Sequence, residues 1–327
     1  MKILISGITG QDGYYLSLLA LKKKLEVHGI VRRNSQKTYG VWEYDPTNKE
    51  KIRFYYGDVS DKTSLDSIFR SVKPEMVFHL AAQSFVQESW SNPEVTYDVN
   101  IKGTLNMLNS FREYIPDGKF YNACSSEVYG KVEDELQNER SRMWPRSPYG
   151  VSKLAAYWTC INYRESYDLF VSNGILFNHE SPCRGVEFVT RKISLAVAKI
   201  KLGLQKELKL GNLEAKRDWG FSGDYVLAMY KMLQQDEPDD YVVATGETHS
   251  VKDFVKTAFE TVDLDYKDYV VTDPKYLRPA EVQYLRGDST KAQKKLNWKP
   301  KVKFEELVEM MVKADLERLS RHEASCR

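Results

Sequence analysis

The chain has 327 residues, 42% hydrophobic and 29% charged, and its 48 basic residues against 46 acidic ones leave a formal charge of +2. That length suits one large domain, or two unequal ones, with a sizeable core. The balanced charge gives no field for nucleic acid or a membrane surface, and no apolar run approaches the length of a membrane span.

In chain order, Lys2 to Ser6 reads as a buried strand, with no charged-then-apolar leader before it. It runs into Gly7-Ile8-Thr9-Gly10-Gln11-Asp12-Gly13 and then a helical segment to about Lys24. Lys22, Lys23 and Lys24 read as a solvated helix end. A second strand, Glu26 to Val31, ends in Arg32-Arg33-Asn34-Ser35, and the polar stretch to Glu50 reads as a loop, with a short helix within it as the alternative. A third strand, Ile52 to Tyr56, precedes Asp58-Val59, and a helical segment covers Lys62 to Val72. A fourth strand, Met76 to Leu80, ends at Ala81-Ala82-Gln83-Ser84. A longer helix spans roughly Val95 to Tyr114, and a fifth strand leads through Lys119 to Ala123 into Ser125. Another helix begins at Pro148, and a strand from Leu169 to Leu176 enters Asn178-His179.

Strands alternating with helices predict an α/β fold, a Rossmann-type doubly wound parallel sheet. Ligands of such sheets lie beyond the carboxyl ends of the strands, where every short motif quoted above falls. Beyond Ser181 the alternation becomes less regular. Residues 1–180 therefore read as a cofactor-binding domain that also receives later segments, and 181–327 mainly as a smaller substrate-binding cap. An amphipathic helix from about Phe304 to Arg321 closes the cap, and the tail from His322 is expected to fray. The four cysteines are scattered without a CxxC pair, which predicts free thiols of a cytosolic protein and no metal site.

Gly7-x-x-Gly10-x-x-Gly13 sits between a strand and a helix, where glycines let the backbone approach a pyrophosphate at the helix N-terminus. Arg32 and Arg33 stand where sites for the non-phosphorylated dinucleotide usually carry an acid, and two guanidiniums favour a 2′-phosphate, hence NADP. Ser125 and Glu127 are two apart, which places both on one face if the strand continues through them. Tyr149 and Lys153 are four apart and share a helix face. A hydroxyl, a carboxylate, a phenol and an ammonium can then meet at one point, a proton-transfer set beside a redox cofactor.

With the glycine loop, Asp58-Val59, Leu80 to Ser84 and Tyr149-x-x-x-Lys153, the chain resembles the extended short-chain dehydrogenase/reductase family. Within it, Gly174 to Pro182, Phe188 to Ile193, Pro145 to Gly150 and Gly211 to Trp219 resemble the GDP-mannose 4,6-dehydratases. The resemblance covers nearly the whole chain. It implies that Ser125, Glu127, Tyr149 and Lys153 are catalytic. It implies that NADP is held by Gly7, Thr9, Gly10, Gln11, Asp12, Gly13, Arg32, Arg33, Asn34, Ser35, Asp58, Val59, Leu80, Ala81, Ala82, Gln83, Ser84, Lys153, His179 and Arg184. Asn178, Val189, Lys192, Arg217, Arg278 and Glu281 would line a GDP-sugar site, and the cations among them suit a diphosphate. The resemblance also implies a homodimer or homotetramer.

The implied reaction is an internal redox dehydration. Tyr149, its pKa lowered by Lys153 and by the positive nicotinamide ring, removes the proton on O4 as hydride leaves C4. Glu127 takes the proton from C5, water leaves from C6, and the hydride returns there, so NADP is recycled. Four positions depart from the family pattern: Ser125 replaces a threonine, Cys183 stands where arginine is frequent, Val95 where tyrosine is expected, and the loop after Asp263 is short. Ser125 and Cys183 would make the sugar pocket roomier, so dehydration of a GDP-manno-heptose stands beside that of GDP-mannose. An NADPH-dependent 4-keto-sugar reductase activity and a non-catalytic NADP-binding module are the other readings.

Overall fold

The computed structural model describes residues 1–33, 40–276, 280, 282 and 284–325. Its strands in chain order are β1 (Lys2–Ser6), β2 (Glu26–Val31), β3 (Arg53–Tyr56), β4 (Met76–His79), β5 (Lys119–Ser125), β6 (Phe170–Leu176), β7 (Asn178–Glu180), β8 (Leu208–Leu210), β9 (Lys216–Arg217), β10 (Trp219–Phe221), β11 (Asp240–Val243), β12 (His249–Ser250) and β13 (Val270–Thr272). The helices are α1 (Gln11–Lys22), α2 (Pro46–Lys49), α3 (Lys62–Val72), α4 (Glu88–Ser91), α5 (Pro93–Tyr97), α6 (Gly103–Tyr114), α7 (Pro148–Tyr167), α8 (Val189–Lys201), α9 (Ser222–Met232), α10 (Val251–Glu260), α11 (Thr290–Leu296) and α12 (Phe304–Ser325).

Seven strands form one parallel sheet in the order β11-β6-β5-β4-β1-β2-β3. Alternate residues of β1 explain its two buried faces. Ile3 and Ile5 join Val27, Phe78 and Tyr121 in a layer covered by α1 and α9. Leu4 joins Val77, Phe120 and Val171 under α3, α6 and α7. Period-two alternation with both faces apolar is what a sheet sandwiched between helices demands. The strand order reverses between β1 and β4, and at such a switch point the diverging connections leave a crevice.

The chain after residue 181 does two things. Part of it returns to the sheet as β11, pairing in parallel with β6 from Asp240↔Asn173 to Val243↔Leu176. Four residues headed by a charged one gave too short a pattern to read as a strand. The rest builds a second core from α8, α10 and α12, with Ile193, Val197, Phe254, Phe259, Leu307 and Met311 buried.

Two expected elements differ in detail. The helix expected from Val95 to Tyr114 is broken into α5, a π-helical turn over Asp98–Lys102, and α6. The last helix does not stop at Arg321 but continues to Ser325. Among the described residues, no helix is long and apolar enough to cross a membrane.

Candidate active site

A cleft of about 900 Å³ opens at the carboxyl ends of the sheet strands. Ser125, Glu127, Tyr149 and Lys153 all line it, as do Gly7, Thr9 to Gly13, Arg32, Asp58, Val59, Leu80 to Ser84, His179 and Arg184. Asn178, Val189, Lys192 and Arg217 line it from the cap side. Arg33 is exposed and does not line the cleft. Asn34, Ser35, Arg278 and Glu281 lie outside the described residues.

The loop between β1 and α1 is built for an anionic ligand. Gly10 is the N-cap of α1 and provides no side-chain cap, so the first-turn N–H groups keep their donors for a ligand. A Cβ at Gly13 would lie 2.4 Å from Ile8 Cα, so this glycine allows the loop to fold against the helix. A Cβ at Gly10 would meet nothing nearer than 3.5 Å within the protein. The space beside Gly10 is open, and an approaching pyrophosphate is what fits it. The Gln11 side chain is otherwise engaged: its Nε2 donates to His179 O at 2.8 Å, and its Oε1 accepts from Ser181 Oγ at 2.8 Å. The Asp58 carboxylate accepts from Ser60 N and Ser60 Oγ at 2.9 and 2.6 Å, which fixes the loop after β3.

The acid-base groups converge by a different route from strand alternation. Ser125 ends β5, and Glu127 lies in the 3-10 turn Ser126–Val128 that follows. Ser125 Oγ caps that turn by accepting Glu127 N–H at 3.2 Å. Helix α7 starts where Ser147 Oγ accepts from Gly150 N at 3.0 Å and Pro148 occupies the first helical position. A Cβ at Gly150 would lie 2.8 Å from Glu127 O, so glycine there lets the helix press against the turn. Glu127, Tyr149 and Lys153 are all buried, and the Ser125 side chain stands near the Tyr149 phenol in the same cleft.

Electrostatics of this cluster depart from expectation. Burial pushes the Tyr149 pKa well above its ordinary value; the nearby Ser125 side chain opposes this and the Glu127 carboxylate adds to it. The Lys153 Nζ donates to Ala123 O at 2.8 Å. Burial also lowers the Lys153 pKa. Tyr149 is therefore a protonated phenol, and a positive charge placed beside it is what would release its proton.

On the cap side, Arg217 is buried, with Nη1 donating to Val282 O at 2.6 Å. Lys192 lies 3.6 Å over the Tyr276 ring, and its pKa is lowered by burial. Cys183 does not line the cleft. Its thiol stands near Arg318 and Tyr15, outside the cleft, so it adds no room to a sugar pocket, contrary to the expectation. Val95 does line the cleft and is exposed on α5.

Two features escaped the sequence reading. Phe85 and Phe188 line opposite rims and meet edge to face, ring centroids 5.8 Å apart. Asn100, in the π-helical turn, accepts from Gln83 N at 2.9 Å and donates to Gln83 O and Ser152 Oγ at 3.0 and 2.9 Å. Ser152 Oγ donates to Tyr149 O at 2.7 Å, so one buried amide joins the loop after β4 to the first turn of α7. An amide inside an otherwise helical pattern was the one available signal, and π turns are frequent at functional sites.

A family model described as GDP-mannose 4,6 dehydratase matches residues 4–311. The chain belongs to the GDP-mannose 4,6-dehydratase family. GDP-mannose 4,6 dehydratase 1 of Arabidopsis thaliana is 51% identical over 324 residues, covering 96% of this chain and 89% of that protein. The human family member, GDP-mannose 4,6 dehydratase, is 50% identical over 338 residues, covering 96% and 91%. Among solved structures, the Thermus thermophilus UDP-glucose 4-epimerase complex with NAD superposes with a TM-score of 0.84 at 27% identity, covering 96% of this chain and 99% of that one.

Proposed function

We propose that the protein is a hydro-lyase that converts GDP-mannose to GDP-4-keto-6-deoxymannose with NADP as a recycled cofactor. The observation that carries this reading is the placement of buried Glu127 beside Tyr149, with Ser125 lining the same cleft. Oxidation or epimerisation at C4 needs the phenol alone; a carboxylate next to it adds a base for C5. The relatives named GDP-mannose 4,6 dehydratase support the same chemistry.

The uncapped N-terminus of α1 and the open space at Gly10 fit a dinucleotide pyrophosphate, and Arg32 fits a 2′-phosphate. Arg33 stands beside it, exposed. Bound there, the nicotinamide cofactor supplies reversible hydride storage, so the overall change is loss of one water without net redox. Tyr149 takes the proton from O4 while Ser125 holds that oxygen. Glu127 takes the proton from C5 and passes it to the departing hydroxyl on C6. The proton lost from O4 is matched by one returned to C5, and the hydride removed from C4 is matched by one gained at C6, which becomes a methyl group, so only water is lost. Lys192 and Arg217, with Arg278 and Glu281 assigned to the same site, hold the GDP portion in the 181–327 cap, while residues 1–180, with Arg184 from beyond them, hold the cofactor.

Incubation of the protein and NADP with GDP-mannose should give a product lighter by one water in mass spectrometry. A product of unchanged mass, or none, would refute dehydration. Comparing specificity constants for GDP-mannose and a GDP-manno-heptose fixes the sugar, and the position of Cys183 outside the cleft lining supports the hexose.

A further inference from the structure

The cleft depends on a clamp that lies behind it. Asp315, on α12, is 1% exposed and does not line the cleft. Its carboxylate takes a two-point contact from Arg191: Nε to Oδ2 at 2.9 Å and Nη2 to Oδ1 at 2.6 Å. Ser194 Oγ donates to the same Oδ2 at 2.7 Å, and Arg318 Nη1 lies 3.3 Å from Oδ1. The remaining guanidinium nitrogen of Arg191, Nη1, donates to two backbone carbonyls, Pro182 O at 2.9 Å and Arg184 O at 3.0 Å. Arg318 Nη1 grips Pro182 O as well, at 2.6 Å.

These carbonyls flank Cys183 in the loop that delivers Arg184 to the cleft. From the other side, Cys183 N and Arg184 N donate to Ser181 Oγ and Ser181 O at 3.1 and 3.0 Å. Ser181 Oγ is in turn tied to Gln11 of α1. The Arg184 side chain then lies 3.5 Å over the Phe188 ring and 3.1 Å from the Glu180 carboxylate. Arg191 and Asp315 form a planar fork-on-fork pair, which fixes orientation as well as distance. A two-point pair of low exposure, spending its spare donor on the backbone of one cleft residue, is more than surface decoration.

We propose that Asp315 is a positioning residue: through Arg191 it fixes the backbone on either side of Cys183 and so aims the Arg184 guanidinium at the bound cofactor. This rests on the reading that Arg184 holds the cofactor, and it adds a residue of the last helix to the determinants of that contact. Replacing Asp315 by Asn keeps the shape but removes the charge that holds the fork, which frees the loop to shift. A small displacement of a binding group is enough to weaken a charged contact.

The test is NADPH affinity, read by fluorescence on the full-length protein without turnover, alongside its melting temperature. The variants are Asp315→Asn, Arg191→Lys, Arg184→Ala, and Asp315→Asn combined with Arg184→Ala. Asp315→Asn should raise the dissociation constant roughly tenfold, the scale of one misaligned charge-assisted hydrogen bond. Arg191→Lys should act alike, because an ammonium cannot span the carboxylate and both carbonyls. The double variant should bind no more weakly than Arg184→Ala alone, since the aspartate acts through that arginine. A lowered melting temperature with unchanged affinity in Asp315→Asn and Arg191→Lys, or penalties that add in the double variant, would overturn the proposal while Arg184→Ala still weakens binding. An Arg184→Ala variant of normal affinity would instead overturn the reading of Arg184, and the proposal with it.

Discussion

His179 Nε2 lies 2.8 Å from the Asp12 carboxylate, while its Nδ1 lies 2.7 Å from the Phe177 carbonyl oxygen. Both partners can only accept, so both ring nitrogens carry protons and the ring is an imidazolium. The pair joins the first turn of α1 to β7, one wall of the cleft to the other. Asp12 is held further by Ser222 Oγ at 2.7 Å, and the imidazole stacks on Tyr225 with centroids 4.7 Å apart.

This pair makes stability depend on pH at both ends. Burial pushes the His179 pKa down, but Asp12 and the Phe177 carbonyl overcome it, leaving the pKa above its ordinary 6.5. Burial pushes Asp12 up, but His179 and Ser222 hold it below its ordinary 3.8. A raised histidine contributes stability that is complete below the unfolded value and lost as pH rises through the folded one. A lowered aspartate contributes stability above its unfolded value that is lost as pH falls through the folded one. The stability difference between the protein and its His179→Gln variant, from urea unfolding, should therefore plateau between about pH 4 and 6.5 and shrink above that. A difference that stays constant through the alkaline side would show that the ring is neutral.

Glu127 and Tyr149 should separate by isotope exchange. Glu127→Gln should lower kcat for water loss by a factor of roughly 10² to 10⁴, and solvent deuterium should no longer enter C5 of recovered sugar. Tyr149→Phe should lose a similar factor by blocking the step at O4. Ser125→Thr keeps the hydroxyl that caps the turn and stands near the phenol, so it should retain most activity, whereas Ser125→Ala should not. Unimpaired deuterium uptake at C5 in Glu127→Gln would remove that residue from the base role.

The sheet and the site were legible to different depths. Lys2–Ser6 and Glu26–Val31 could be read to the residue because both faces of each strand are buried and their ends are marked by Gly7 and Arg32. The cleft residues were legible because a parallel sheet puts its loops at one edge. Three things were not. β11 is four residues long and pairs with a strand more than sixty residues earlier, which no local pattern announces. The Lys153 ammonium shares a helix face with the phenol, as the four-residue spacing predicts, but its bond to Ala123 O comes from another element. Spacing shows which side chains share a face, not which acceptors a distant strand brings to them. The Arg191–Asp315 fork spans over a hundred residues of chain and leaves no spacing at all.

Cofactor choice should sit with Arg32. It is exposed and lines the cleft at the end of β2. Arg32→Ala should weaken NADPH binding roughly tenfold, as expected for one lost charge-assisted contact to a phosphate, and leave NADH binding nearly unchanged. Because the guanidinium is solvated, the loss should diminish as salt is raised toward about 1 M, where screening extends over only about 3 Å. Equal loss for NADH and NADPH in binding titrations would place Arg32 away from the 2′-phosphate.

Gly10 and Gly13 look alike in the motif but should fail differently. A methyl group at Gly13 would press to 2.4 Å from Ile8 Cα and 2.6 Å from Gly7 O, both backbone atoms with no room to yield. Gly13→Ala should therefore cost about 1–3 kcal/mol of stability or more through overpacking, seen as a lower unfolding midpoint without ligand. At Gly10 the backbone has φ −87° and ψ 174°, which alanine adopts freely, and the nearest atom is 3.5 Å away. Gly10→Ala should change apo stability by less than about 1 kcal/mol. The added methyl stands instead where the pyrophosphate must approach the helix N-terminus, so NADPH affinity should fall at least roughly tenfold. A Gly10→Ala protein that unfolds early, or binds NADPH normally, would mean that the dinucleotide does not cross the loop at this glycine.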